Sequence, residues 1–236
     1  CLNSVKAVAD EIIVVDSYST DKTREIVESF PAKFILNKFE GHIQQKNFAM
    51  RSAQHDIVLS LDADEELSDT LKASIAHAKQ HWTGDGYSFN RLNSYCGKFI
   101  HHGGWYPDRK IRLWNRNKGS WGGENPHDLV IMDNSTTVSH LKGDLLHYTY
   151  RTQTEHLTQM NKFSDIAARE LFKRDKKTSV ILHLLLNPFF TFIKTYFFRL
   201  GFLDGYAGFQ VAMHGAYYRF LKYSKLKFLH DNKSAD

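Results

Sequence analysis

Between residues 12 and 82 the chain alternates short β-branched runs with stretches of helical periodicity, and nothing else in it limits the fold so strongly. Residues 12–16 read as a strand ended by the turn-formers Ser17, Ser19 and Asp21. A helix follows, with Ser19 or Thr20 as N-cap and Ile26, Val27 and Phe30 facing inward. Residues 33–36 read as a second strand, 42–53 as a helix and 57–61 as a third strand. The next helix opens at Ser68, where Leu71, Ile75, Ala78 and Trp82 recur at helical spacing. Such alternation predicts an α/β fold with a mainly parallel, mixed sheet flanked by helices, in which ligands bind beyond the carboxyl ends of the strands. Residues 84–150 are rich in Gly, Trp, Tyr, His and Asn, with strand-like runs at 111–114 and 129–132, and read as loops and mixed strands covering that edge. From about residue 154 the period is helical. The pattern therefore divides the chain into an α/β domain over 1–150 and a helical extension over 151–236.

The segment IVLSLDADEE, residues 57–66, places Asp62 and Asp64 after an apolar strand. If residues 57–64 are extended, both acids project to one side, where they would repel and lose hydration unless a cation joined them. Magnesium or manganese suits such a pair, because it takes one or two protein carboxylates and leaves the other positions to phosphate and water. A solvated turn leading into the next helix is the alternative. Asp16 repeats the arrangement at the end of the first strand, where a carboxylate accepts from a ribose hydroxyl or a base N–H, or else caps its own turn. Lys110 and Arg112 share a face by alternation and would meet phosphates or an acidic acceptor, or simply solvent.

Charge is unevenly spread. Residues 1–150 hold 17 Lys and Arg against 19 Asp and Glu, and residues 151–236 hold 14 against 7. The basic part also carries Phe189, Phe190, Phe192, Phe197, Phe198, Phe202, Tyr217 and Tyr218. Basic charge alone would suit nucleic acid, but interleaved bulky apolar groups suit an anionic membrane surface better, so no nucleic acid is expected. Residues 206, 209, 213, 217 and 220 form an apolar stripe that would lie on a membrane, pack on the catalytic part, or join two copies of the chain. Pro188 should end or kink any helix, with Asn187 extended or in a turn. Residues 180–193, broken by His183, Asn187 and Pro188, read as too short and too polar to cross a bilayer. Cys1 and Cys96 form no disulfide framework or metal spacing, which indicates a reducing compartment, and no leader pattern is visible.

DEIIVVDSYSTD at 10–21, QQKNFA at 44–49, LSLDADEE at 59–66, GGWYPDRKIRLW at 103–114 and NPHDLV at 125–130 resemble, in order and spacing, the inverting family 2 glycosyltransferases of GT-A fold. Together with RLGFLDGYAGF at 199–209 they look like the β-1,4-glucosyltransferase-like subgroup that builds lipopolysaccharide cores. The resemblance implies a UDP-sugar donor and a saccharide or lipid-linked acceptor, in a bacterial enzyme peripheral to the inner face of the cytoplasmic membrane. It implies that Asp16 and Lys46 contact the nucleotide, that Asp62 and Asp64 form the metal-binding pair with Asp64 the direct ligand, and that His147 completes the metal site. Gly104 and Trp105 would line the donor and acceptor pocket, and Asp128 would be the catalytic base, a position commonly Glu in the subgroup. Glu124 is the rival base. Measured against the family's pattern the first strand is missing, and residues 1–8 look like the end of the helix that follows it. The rivals in other classes are a sugar nucleotidyltransferase and a non-catalytic, membrane-associated binding module.

Overall fold

The computed structural model of the chain describes residues 1–124 and 127–233, with the side chains of Glu124, His127 and Lys233 outside that description. Two compact units emerge. The first comprises residues 1–91 and 108–147, the second residues 92–107 and 148–236. The division is discontinuous in sequence, where composition suggests a single cut after residue 150, because two long strands run from one unit into the other.

In the first unit, helix α1 (Leu2–Val5) precedes β1 (Ile13–Asp16), α2 (Thr23–Glu28) and β2 (Lys33–Leu36). Strands β1 and β2 pair in parallel, Ile13 opposite Lys33 and Asp16 opposite Leu36. Helix α3 (His42–Ser52) leads to β3 (Ile57–Leu59), β4 (Glu65–Leu67) and α4 (Asp69–Gln80). Ser68 caps α4 as the sequence predicts, its Oγ accepting from Leu71 N–H. The remaining strands are β5 (Gly86–Tyr95), β6 (Lys98–Phe99), β7 (Asp108–Asn115), β8 (Gly119–Glu124), β9 (His127–Met132) and β10 (Val138–Tyr150). They lie in the order β3-β7-β5-β10-β4, with β6 beside β5 and with β8–β9 as a separate hairpin.

The α/β class and the helical C-terminal extension are as anticipated, but among the described pairs with a defined register only β1–β2 is parallel. Strand β3 pairs antiparallel with β7, and β4 with β10. The reason lies in residues 84–150, whose strands are long and joined by short turns. Parallel return needs a crossover of about a dozen residues or more, which these connections do not supply. The core packs α4 through Leu71, Ile75 and Ala78 on Leu67, Tyr87, Phe89, Leu113 and Leu145. Full burial of a side chain such as Leu71 or Phe89 contributes about 1.5–3 kcal/mol. Gly143 of β10 is held to glycine by this packing: at φ +97° its missing Cβ would stand 2.4 Å from Leu71 N.

The second unit gathers the far ends of β5 and β10, strand β6 and the helices. Helix α5 (Gln153–Lys173) opens with a capping box between Thr152 and Glu155. It packs on the long final helix (Gly205–Lys233) through the buried Met160, Ser164 and Ala168, facing Ala212, Ala216 and Leu226. Small residues on both sides let the backbones approach, and Lys225 fastens them through Asn161, Ser164 and Asp165.

Between these helices, residues 180–198 overturn two expectations. They form one helical run, π-helical over Val180–Leu186, α-helical over α6 (Asn187–Ile193), and π-helical again over Lys194–Phe198. Asn187 is helical at φ −61°, ψ −48°, and Pro188 sits in the first turn of α6, where a missing N–H is least costly. His183 Nδ1 accepts from Ser179 N–H, which satisfies one polar group within the run. The 19 residues are long and apolar enough to cross a membrane by length and composition, and none of the run is buried. The final helix, α7 (Gly205–Lys233), leaves Tyr206, Phe209, Met213, Tyr217 and Phe220 exposed, so the stripe read from spacing faces outward.

Candidate active site

The acids of the first unit converge where β3 stops. Ser60 N–H still donates to Arg112 O of β7 at 2.9 Å, after which the ladder ends. Residues 62–65 then close a turn in which Glu65 N–H donates to Asp62 O at 3.0 Å and Asp62 N–H to a Glu65 carboxylate oxygen at 2.9 Å. The strand alternation expected through residue 64 therefore does not reach the acids, and the two carboxylates take different partners. The turn, not the pleat, aims them.

Asp62 is bound by two cations. Lys46 Nζ lies 2.9 Å from Asp62 Oδ1, and Arg112 Nη2 lies 3.2 Å from Oδ2. The same Lys46 Nζ reaches Asp128 Oδ2 of β9 at 2.8 Å, so a single ammonium ties the predicted base to the first acid of the Asp-x-Asp pair. Helix α3 positions Lys46, and its neighbour Asn47 clamps β8 by donating to Trp121 O and accepting from Trp121 N–H. Both cations stand over the Trp121 ring, Lys46 at 4.3 Å and Arg112 at 5.0 Å from its centroid.

Beneath them lies a residue that sequence reasoning missed. Glu65 is fully buried, 2.8 Å from Arg112 Nη2 and 3.7 Å from Arg91 Nη1. Arg112 is buried as well, and its orientation has a definite cause. In the β5–β7 pairing Tyr87 is opposite Leu113 but Ser88 is opposite Ile111, so Arg112 is the extra residue of a bulge. The bulge turns its guanidinium onto Glu65 and Asp62. Lys110, expected on the same face, instead pairs with Asp108 at 3.0 Å. Simple alternation carries no signal for this, since the bulge shifts the phase of the strand. Burial pushes Glu65 up, only partly offset by Arg112. Burial also opposes ionisation of Asp62, but Arg112 and Lys46 together outweigh it and hold its carboxyl below the ordinary range.

Asp64 is half-exposed, its Oδ2 3.4 Å from His147 Nε2. The neighbouring pair in the β4–β10 register, His147 opposite Glu65, brings these distant residues together. A carboxylate oxygen and an imidazole nitrogen at that separation fit a magnesium or manganese ion with most of its positions left for phosphate and water. Among the described residues no group of three or more His, Cys, Asp or Glu is arranged to hold a metal, so any such site takes further ligands from substrate or solvent.

Asp16 is buried at the end of β1 and accepts from both Ser19 N–H and Ser19 Oγ, so it shapes the turn that follows the strand. Gly104 and Trp105 belong to the second unit, Gly104 exposed and Trp105 packed beside Tyr95, Ile100 and Val211. The Glu124 side chain, the rival base, lies outside the described residues.

Residues 1–135, more than half of the chain, match the family described as Glycosyl transferase family 2. An uncharacterized glycosyltransferase of Rickettsia bellii is 32% identical over 97% of this chain and 81% of its own length. The lipopolysaccharide core biosynthesis glycosyltransferase LpsC of Rhizobium meliloti is 27% identical over 99% of this chain and 88% of its own. Among solved structures, Staphylococcus aureus TarS 1–349 in complex with UDP-GlcNAc is similar at a TM-score of 0.44 and 16% identity, over 98% of this chain and 87% of that one, too low to bear on ligand or mechanism. The chain thus belongs to glycosyltransferase family 2, and it is a glycosyltransferase.

Proposed function

We propose that this enzyme inverts the anomeric centre as it moves a sugar from a UDP-sugar to a saccharide or lipid-linked acceptor of the bacterial cell envelope, aided by magnesium or manganese. The observation that carries the reading is Lys46, shared between Asp62 and Asp128. Inversion needs one base on the face opposite the departing diphosphate. Asp128 accepts the acceptor hydroxyl's proton, the hydroxyl oxygen bonds the anomeric carbon, and the bond from that carbon to the diphosphate oxygen breaks. Lys46 orients Asp128 in the free enzyme and offers a cation to the leaving diphosphate. Asp64 and His147 would hold the metal, which when bound stabilises negative charge on the leaving group. Asp16 serves the nucleotide, and Gly104 and Trp105 line the substrate pocket. The core-biosynthesis name of LpsC supports an envelope acceptor.

The C-terminal part would seat the enzyme on the inner face of the cytoplasmic membrane. The exposed apolar run of residues 180–198, with Lys194 and Arg199 at its end, supports that placement. A panel of UDP-sugars with Mn²⁺ and extracted envelope acceptor tests the reading. Transfer should be abolished by Asp128→Asn and Asp64→Ala. Release of pyrophosphate from a nucleoside triphosphate and a sugar phosphate would instead mark a nucleotidyltransferase.

A further inference from the structure

The segment RLGFLDGYAGF, residues 199–209, has no part in the chemistry above, yet its polar groups hold the loop that contains Gly104 and Trp105. Asp204 is buried, only 4% exposed. Its Oδ1 accepts from His101 N–H at 3.2 Å and its Oδ2 from His102 N–H at 2.8 Å, while His102 Nδ1 lies 3.1 Å from Oδ1. Its carbonyl takes a bond from Lys98 Nζ at 2.7 Å. The next amide in the loop, Gly103 N–H, donates to Arg199 O at 2.8 Å. Three consecutive loop amides are thus tied to residues 199–204. At Gly104, φ +82°, a Cβ would stand 2.2 Å from Arg199 Nη1, so the guanidinium fills the space that only glycine leaves.

The clamp is held in place by backbone geometry. Leu200 takes a left-handed conformation, φ +57°, which costs an ordinary residue roughly 1–2 kcal/mol. That turn brings the chain from the apolar run back under the loop. Gly208 permits the first turn of α7 to sit on it, since a Cβ there would meet Gly201 O at 1.9 Å. A buried carboxylate with two backbone donors and an imidazole is satisfied, and no simple packing need calls for it.

We propose that Asp204 is a positioning residue for acceptor binding. It makes the loop over residues 101–105 one body with the end of the run over residues 180–198, so that an acceptor presented at a lipid surface meets a preset loop. This rests on the reading that Gly104 and Trp105 line the substrate pocket. Asp204→Asn keeps the size and removes the charge.

Hydrogen exchange by mass spectrometry should show the His101 and His102 amides exchanging about tenfold faster or more in that variant, with exchange in α4 unchanged. The KM for acceptor should rise about tenfold, well beyond any rise in the KM for UDP-sugar, with vesicle flotation unchanged. Asp204→Glu should restore part of both. Unchanged exchange at residues 101 and 102, or a donor KM rising as far as the acceptor KM, would overturn the proposal. Should Asp204→Asn fail to fold, the unsubstituted chain decides: its His101 and His102 amides should exchange about tenfold slower than the exposed turn amides at residues 134–135. A chain without any transferase turnover would sink the transfer reading, and the exchange measurement would still decide the clamp.

Discussion

Each unit buries a polar cluster, and the two solve the same problem oppositely. In the first, Lys46 and Arg112 pair directly with Asp62 and Glu65. In the second, Tyr95 Oη lies 3.2 Å from His214 Nδ1, which lies 3.0 Å from His156 Nδ1, within an aromatic wall of Trp105 and Tyr150. Among the described residues no carboxylate is paired with those histidines. Burial, and then the charge of His214, pushes His156 down to about 4, and burial pushes Tyr95 up to about 12. The cluster is therefore neutral at physiological pH. A low dielectric is tolerable for matched charges or for none, and only the matched kind can meet an incoming diphosphate.

The largest effect expected from breaking this comparison is on turnover. Asp128→Asn removes the proton acceptor and should lower kcat by about 10²–10⁴-fold, with the fold intact by circular dichroism. Retained turnover would transfer the role elsewhere in the chain. Next comes stability. Arg112→Met leaves Glu65 buried without its closest cation, and should cost about 3–5 kcal/mol, read by urea denaturation. The double variant Arg112→Met, Glu65→Leu should recover much of that, and no recovery would show that the bulge, not the charge, matters.

The third test separates the units by pH. His156 has its folded pKa depressed from 6.5 to about 4, so its contribution is present above pH 6.5 and lost as pH falls toward 4, up to about 3 kcal/mol. Asp62, depressed below 3.8, contributes above that pH and loses its share only below it. Hydrogen exchange at pH 5 should therefore loosen α5 before α4. His156→Gln should flatten the slope between pH 6.5 and 4, and an unchanged slope would move the titration to another group. The smallest effect is at the surface. Lys194→Gln should weaken binding to anionic vesicles by about 1 kcal/mol, an effect that fades with salt; equal binding by neutral vesicles would refute the electrostatic share.

Much of this was legible in the sequence. Ser68, the strand at 33–36 and the helix from 42 follow from local propensity and capping, which act within a few residues. The convergence of Lys46, Asp62 and Asp128 was implied by resemblance, not by periodicity, since residues 46 and 128 are brought together only by the β8–β9 hairpin resting on α3. Glu65 reads as one more acid in a run, because the turn that the sequence allows at this point is a solvated one, not one that folds Glu65 inward onto Arg112. Strict alternation leaves Arg112 open to phosphate or to solvent, since a bulge is invisible to it. Pro188 misled because its cost depends on where in a helix it falls, and π-helical turns on either side moved it to the start of a new segment.

That bulge reaches beyond one side chain. Strand β7 changes step at Arg112, so a relative that lost one residue there would swing a leucine toward the acids and a guanidinium out to water. Insertions and deletions at this position should therefore travel with the residue at 65, an apolar side chain replacing glutamate wherever the step is absent.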